Sequence, residues 1–333
     1  MASKTGEMLL SVSDLVVQFH TLDGVVHALN GVGFDLRRGE VLGLVGETGC
    51  GKTATTLAML RLLPENAEIV QGHAYFEGRD LLTEPPHKIA KIRGRKISMI
   101  FQDPASSMNP LFRIGTQLID VLKEYYPERG EKELESIAHE KLSMAELPDP
   151  ASVMRLFPHE LSGGMQQRVI MAIALCSSPS LIIADEPTTA LDVTIQAQIL
   201  ALLRKLKEAL RLSVLLITHN LGLVRELCDR VAIMYAGSIV EVADVQQVFR
   251  NPKHPYTRGL LSSIVSGRLR GQTLHHIHGM VPSLINPPSG CRFHPRCPYA
   301  IPVCKDRAPE LLEIEPGHSV ACFNMPKEAW WRV

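Results

Sequence analysis

Eight residues near the start of the chain, Gly46-Glu-Thr-Gly-Cys-Gly-Lys52-Thr53, have the types and spacing needed to hold a phosphate group. The pattern is GxxxxGKT. Gly46, Gly49 and Gly51 let the backbone turn sharply, so that several N–H groups point inward at one anion. Lys52 supplies a positive charge for outer phosphates, and Thr53 offers a hydroxyl to Mg²⁺. Such a loop works when a buried strand precedes it and a helix follows, because the helix N-terminus then lies under the phosphates. Val41–Val45 is a short apolar run of the kind a buried strand needs. Residues 53–63 are apolar at helical spacing up to Pro64.

Further chemistry sits where other apolar runs end. Ile97–Phe101 leads into Gln102, a residue placed to touch Mg²⁺ or an attacking water. Leu181–Ala184 leads into Asp185 and Glu186. Asp185 can hold Mg²⁺, directly or through water, and Glu186 can orient or deprotonate a water. Val214–Thr218 leads into His219. An open α/β sheet places ligands beyond the carboxyl ends of its strands, so these residues belong to one pattern. Leu161-Ser-Gly-Gly-Met-Gln166 then opens a helix through about Cys176, and Ser162, Gly163 and Gly164 make a second anion-binding helix start.

Around these elements, residues 9–36 alternate in short runs broken by Gly24, Gly31 and Gly33, the mark of antiparallel strands and turns. Phe19 ends the first run; an aromatic there stacks on an adenine ring or faces the core, and its position leaves both open. Residues 72–82 have the look of another hairpin. Residues 114–125 and 132–147 are apolar at helical spacing within a proline-punctuated stretch, which predicts a small helical subdomain inserted into the core. A long amphipathic helix is predicted from Thr194 to about Leu210, after Asp192.

Composition limits the partners. The chain has 333 residues, 45% of them hydrophobic, with 35 Lys+Arg against 35 Asp+Glu. A formal net charge of +0 removes the electrostatic case for a nucleic-acid binder. The small basic clusters at 93–96 and 268–270 read as solvated faces. No apolar run approaches the ~18 residues of a membrane span, and no secretory signal is visible. The expectation is a cytosolic protein whose seven cysteines are reduced thiols or metal ligands.

In order and type, these motifs resemble the ATPase subunits of ATP-binding cassette (ABC) transporters, over residues 9–249. The resemblance implies an α/β, P-loop NTPase (RecA-like) core with an antiparallel β subdomain, an inserted helical subdomain at about 104–160, and an irregular cysteine-containing extension over 251–333. It implies that Phe19 stacks on adenine and that Gly46, Glu47, Thr48, Gly49, Cys50, Gly51, Lys52, Thr53 and Ala54 bind the nucleotide. Thr53, Gln102 and Asp185 serve Mg²⁺; Gln102 also senses the γ-phosphate and faces the membrane partner. Glu186 is the catalytic base and His219 contacts the γ-phosphate. Ser162, Gly163, Gly164, Met165 and Gln166 form the signature that completes a sister subunit's site, and Asp192 lies in the loop facing that subunit. The family signature reads LSGGQ; Met165 stands where that pattern has glutamine, which bears on fine tuning and leaves Ser162 and Gly164 in place.

The tail narrows the resemblance to the oligopeptide/dipeptide importer branch, through Asn251-Pro-Lys-His-Pro-Tyr-Thr-Arg-Gly-Leu-Leu261 and Pro288-Ser-Gly-Cys-Arg-Phe-His-Pro-Arg-Cys-Pro-Tyr299. That branch implies a second, paralogous ATPase in a heterodimer, two transmembrane permeases, an extracytoplasmic solute-binding protein, and a peripheral location on the cytoplasmic face of the inner membrane. It also contains nickel and other solute systems; a soluble, non-transport ABC ATPase is the reading from a different class. Cys291, Cys297, Cys304 and Cys322 are separated by five, six and seventeen residues. Four thiols in a reducing compartment suggest a metal or cluster. The branch resemblance implies a structural [4Fe–4S] cluster, with zinc as the runner-up. His275, His276 and His278 read as part of a polar linker, and Trp330 and Trp331 as packing on the tail or a partner.

Overall fold

The computed structural model describes residues 6–189, 191–263 and 277–325. His275, His276, Trp330, Trp331 and the basic cluster 268–270 lie outside them. By contacts the chain divides into two units. The first comprises chiefly Arg38–Glu40 and Pro85–Leu216; the second comprises Glu7–Arg37, Val41–Glu84 and the chain from Ile217 onward.

The second unit opens with two 14-residue strands, β1 (Met8–Thr21) and β2 (Gly24–Arg37), paired antiparallel around a tight turn at residues 22–23. Next come β3 (Val41–Val45), all five residues buried, and α1 (Lys52–Met59). The spacing predicts a longer helix, but Leu60 caps α1 and the backbone turns left-handed at Arg61, at φ 51°, before Pro64 is reached. Strands β4 (Ala67–Phe76) and β5 (Arg79–Asp80) complete a four-stranded sheet in the order β2-β1-β4-β5.

The first unit carries α2 (Pro86–Ile92), β6 (Ile97–Ile100), the helices α3 (Ile114–Tyr125), α4 (Glu131–Met144) and α5 (Pro150–Arg155), then α6 (Gly163–Leu175), β7 (Leu181–Asp185) and α7 (Val193–Leu210). Strand β6 runs parallel to β7, with Ile100 opposite Ala184. Parallel strands covered on both faces need unbroken apolar runs, and β7 is buried along its length. Strand β8 (Ser213–Thr218), beside β7, carries the chain from one unit into the other.

Back in the second unit follow α8 (Leu221–Leu227), β9 (Arg230–Tyr235), β10 (Ser238–Asp244), α9 (Val245–Arg250) and α10 (Pro255–Ser262). The short helix α11 (Val303–Asp306) precedes a hairpin of β11 (Leu312–Glu315) and β12 (His318–Val320). Within this unit the strands lie in the order β11-β12-β10-β9-β3, with β3 and β9 parallel. The proline-rich tail is therefore not wholly irregular, because its last hairpin adds to the sheet.

One buried carboxylate fixes that hairpin. Glu241 on β10 is fully buried and accepts hydrogen bonds from Lys253 N at 2.8 Å, His254 N at 2.9 Å and the ring of His318 at 2.7 Å. It ties β10 to the start of α10 and to β12. Glu241→Leu strands these partners without an acceptor. The expected cost is about 3 to 5 kcal/mol, read from a denaturant titration. An unchanged midpoint would show that water replaces the carboxylate.

Candidate functional site

In the second unit the phosphate loop joins β3 to α1. Its glycines answer either to close neighbours or to a left-handed backbone. A Cβ on Gly46 would lie 2.1 Å from the Met234 carbonyl oxygen and 2.6 Å from the Cys50 sulfur. Gly51 holds φ +107°, and a Cβ there would meet the Ala28 oxygen at 2.8 Å. Gly49, at φ +79°, has open space where its side chain would be. The loop is closed by Cys50 N donating to Glu47 O at 3.2 Å, and Thr55 N begins the helical ladder on Gly51 O at 2.9 Å.

Lys52 is buried, with its ammonium folded back over the loop. Nζ donates to Gly46 O at 2.8 Å and to Glu47 O at 3.1 Å. Thr48 and Thr53 are exposed, Ala54 half-buried, and Cys50 is buried with its thiol pushed up by desolvation. Phe19 is half-buried on β1, paired with Val26 on one side and Ala67 on the other. His219 follows β8 and is exposed; the next residue, Asn220, caps α8 through Gly222 N at 2.9 Å.

In the first unit the ends of β6 and β7 bring two sequence-predicted residues together. Gln102 and Glu186 each lie two residues past the paired Ile100 and Ala184, and Gln102 Nε2 donates to Glu186 Oε2 at 3.2 Å. Thr189 Oγ1 donates to the same oxygen at 2.9 Å. Glu186 adopts φ 46°, in the left-handed region that a non-glycine residue enters at a cost. Its carboxylate is thus aimed by backbone strain and two donors. Asp185 is buried at the end of β7.

The signature opens α6. Ser162 is the N-cap, its hydroxyl accepting from Met165 N at 3.4 Å, and Ser162 and Gly163 are exposed. Gly164 packs so tightly that a Cβ would meet Ile195 Cγ2 at 2.9 Å. Asp192 caps α7, accepting from Ile195 N at 3.0 Å. Two glutamines brace these turns: Gln166 Nε2 donates to Pro158 O at 2.8 Å, and Gln196 Nε2 to Thr188 O at 3.0 Å. Gln196 and Thr189 were not marked by the sequence, because a side chain bracing a nearby carbonyl or carboxylate has no signature of its own.

The tail corrects one expectation. The [4Fe–4S] cluster, and zinc in its place, are not supported. Among the described residues no group of three or more His, Cys, Asp or Glu is arranged to hold a metal ion. All four thiols are free. Burial pushes the Cys291 thiol up, Cys297 to about 12 and Cys322 to about 11. These shifts belong to the thiols as they stand without a metal, protonated and partly buried. Cys291 and Cys297 pack instead against an apolar cluster containing Tyr256 and Phe293. The segment is held by its own backbone, with Cys291 N donating to Cys304 O at 2.9 Å and Ser289 Oγ to Lys305 O at 2.7 Å.

Comparison with known proteins defines the class. Residues 29–189 match the ABC transporter family model, and residues 240–304 match the model for the oligopeptide/dipeptide transporter C-terminal region. The chain belongs to the ABC transporter ATPases. It is 48% identical over 320 residues to a probable peptide ABC transporter ATP-binding protein of Sinorhizobium fredii, covering 96% of this chain and 95% of that one. It is 45% identical over 328 residues to the oligopeptide transport ATP-binding protein OppD of Escherichia coli, covering 98% and 96%. Among solved structures, the dimeric post-hydrolysis state of the ATP-binding cassette MJ0796, bound to ADP and Pi, is similar with a TM-score of 0.64 and 26% identity. That likeness covers 71% of this chain and 99% of the other.

As an ABC ATPase the chain binds ATP with Mg²⁺ and couples hydrolysis to transport. In the second unit the loop's residues fit that substrate: a glycine cradle that a Cβ would fill, a buried lysine and the exposed Thr53 hydroxyl. Among the described residues no helix is long and apolar enough to cross a membrane.

Proposed function

We propose that this chain is the ATP-hydrolysing subunit that energises import of di- and oligopeptides, resting on the cytoplasmic face of the inner membrane. Its partners are two transmembrane permeases, an extracytoplasmic solute-binding protein and a second, paralogous ATPase. The observation that carries the peptide reading is the 45% identity to an oligopeptide transport ATP-binding protein over 98% of the chain, the C-terminal region included. Residues 1–250 serve as the ATPase domain, with a helical subdomain at about 104–160, and 251–333 as the extension.

The residue roles follow from the chemistry. Residues 46–54 cradle the phosphates with backbone N–H groups, and Lys52 neutralises the outer ones. Phe19 stacks on adenine. Thr53 and Asp185, with Gln102, hold Mg²⁺. Glu186 accepts the proton of the attacking water as its oxygen bonds to the γ-phosphorus and the bond to the β–γ bridging oxygen breaks; His219 contacts the γ-phosphate. Ser162, Gly163, Gly164, Met165 and Gln166 approach the γ-phosphate held by the sister subunit, and Asp192 faces that subunit. Support for pairing comes from the exposed Ser162 and Gly163 at the start of a 13-residue helix, an anion-binding end, and from the dimeric form of the similar cassette.

Deleting the chain from its host and following labelled tripeptide and Ni²⁺ uptake tests the substrate. Peptide uptake is expected to fall to background with Ni²⁺ uptake intact. Loss of Ni²⁺ uptake alone would assign the subunit to a metal importer instead.

A further inference from the structure

Residues nearly 250 positions downstream grip the phosphate loop. Glu47, the first variable residue of GxxxxGKT, receives both arms of Arg296: Nη1 to Oε2 at 2.8 Å and Nη2 to Oε1 at 3.3 Å. Two parallel contacts of this kind are the strongest arrangement a guanidinium and a carboxylate adopt. The Arg296 side chain is only 7% exposed. Its Nε donates to His278 O at 3.0 Å, Nη1 also reaches the Tyr235 hydroxyl at 3.3 Å, and the guanidinium lies 5.7 Å from the centre of the Tyr235 ring. Burial works against the charge, but the bonds Arg296 donates to Glu47 and Tyr235 outweigh it and hold its pKa above the ordinary value.

The same loop residue is held a second way. The Glu47 backbone N–H donates to the Tyr256 hydroxyl at 3.0 Å. Tyr256, Tyr235 and Phe293 form one aromatic group, with centroids 4.6 Å apart for the two tyrosines and 5.0 and 5.4 Å from each to Phe293. Beyond the loop, Gly237 N donates to Cys50 O at 2.8 Å, and the neighbouring Ala236 carbonyl accepts from Arg292. The loop is thus braced at Glu47 by Arg296 and Tyr256 of the C-terminal region and at Cys50 by Gly237, whose neighbour Ala236 accepts from Arg292 of that region.

We propose that Arg296 is a positioning residue for nucleotide binding: through its fork to Glu47, alongside Tyr256 on the same residue's amide, the C-terminal region holds the phosphate loop in its receiving conformation and so sets the affinity for ATP. The proposal rests on the reading of residues 46–53 as the phosphate loop. A loop that must order itself on binding keeps only that share of its intrinsic affinity which equals the fraction of time it is already ordered. Once ATP is saturating that loss is covered, so Arg296 acts on KM more than on kcat. Glu186 and its two donors lie in the other unit and contain no part of this brace.

The test is Mg-ATP affinity by calorimetry on the full chain, for Arg296→Ala, Arg296→Lys, Glu47→Gln and the double variant R296A/E47Q, with a thermal melt of each. Lys52→Ala serves as the reference. Arg296→Ala and Glu47→Gln are each expected to weaken binding about tenfold, or about 1.4 kcal/mol. The double variant should weaken it no further, because both changes remove one contact. Arg296→Lys should fall between, keeping the charge and losing the fork. In the assembled transporter Arg296→Ala should raise the KM for ATP about tenfold with kcat changed less than about twofold. Native affinity in folded Arg296→Ala, or additive losses in the double variant, would overturn the proposal and leave Arg296 as an anchor for the tail. If Arg296→Ala does not fold, native affinity in Glu47→Gln overturns it alone. Undiminished binding by Lys52→Ala would fault the phosphate-loop reading instead, whatever the Arg296 variants do.

Discussion

Glu186→Gln is expected to bind ATP at close to native affinity and to lose at least about a hundredfold in turnover, the usual worth of a positioned general base. The amide keeps the size of the carboxylate and still accepts from Thr189 and Gln102, which in the native protein donate to Oε2 at 2.9 and 3.2 Å. What it loses is the capacity to take a proton. The strained φ of 46° is imposed by the backbone and stays. Equilibrium binding and phosphate release measured on the same preparation separate the two effects. Turnover within about threefold of native would remove Glu186 from its role. A fall in ATP affinity that accounted for the whole loss would do the same.

Lys52→Ala should abolish nucleotide binding at micromolar ATP. A hydrogen bond to a charged group is worth about 1.5 to 3 kcal/mol. Losing the ammonium's contact with the outer phosphates therefore weakens binding about tenfold to 150-fold for each hydrogen bond it made. The structure adds a second cost. Lys52 is buried and bonds to the carbonyls of Gly46 and Glu47, so its removal also strands two loop acceptors. Calorimetry on the full chain checks this, with a melt to show that the variant is folded. ATP bound within about fivefold of native would mean that the backbone cradle alone carries the affinity.

The site was legible where sequence and strand end coincide. Buried parallel strands need continuous apolar runs, so β3 and β7 stand out, and the residues just past each are the ones the sequence marks. The sequence marks Gln102 and Glu186 separately as strand-end residues; their pairing comes from the parallel register, which puts both two residues beyond a paired position. Boundaries were less legible. Helix α1 stops at Met59 because the chain turns left-handed at Arg61, a local event that the apolar spacing through Leu63 masks.

What joins distant parts of the chain left little trace. Arg296 and Glu47 are 249 residues apart, and neither carries a local pattern that names the other. The β12 pairing with β10 rests on Glu241 and His318, a buried pair that reads in sequence as two ordinary polar residues. The cysteine tail misled for the opposite reason. Four clustered thiols suggest ligands by type alone, whereas Cys291 and Cys297 pack against a small apolar cluster and Cys291 N bonds to Cys304 O. Residue type proposed a metal site, but among the described residues no three such side chains are arranged to hold an ion.

The most direct test is peptide import itself. Proteoliposomes carrying the assembled transporter, with ATP on the side of this chain and labelled tripeptide with its binding protein on the other, should accumulate peptide when the chain is native. They should accumulate none above background when it carries Glu186→Gln, although that variant still binds ATP. Peptide import at the native rate by the Glu186→Gln assembly would contradict the claim that hydrolysis at this chain's own carboxylate drives transport.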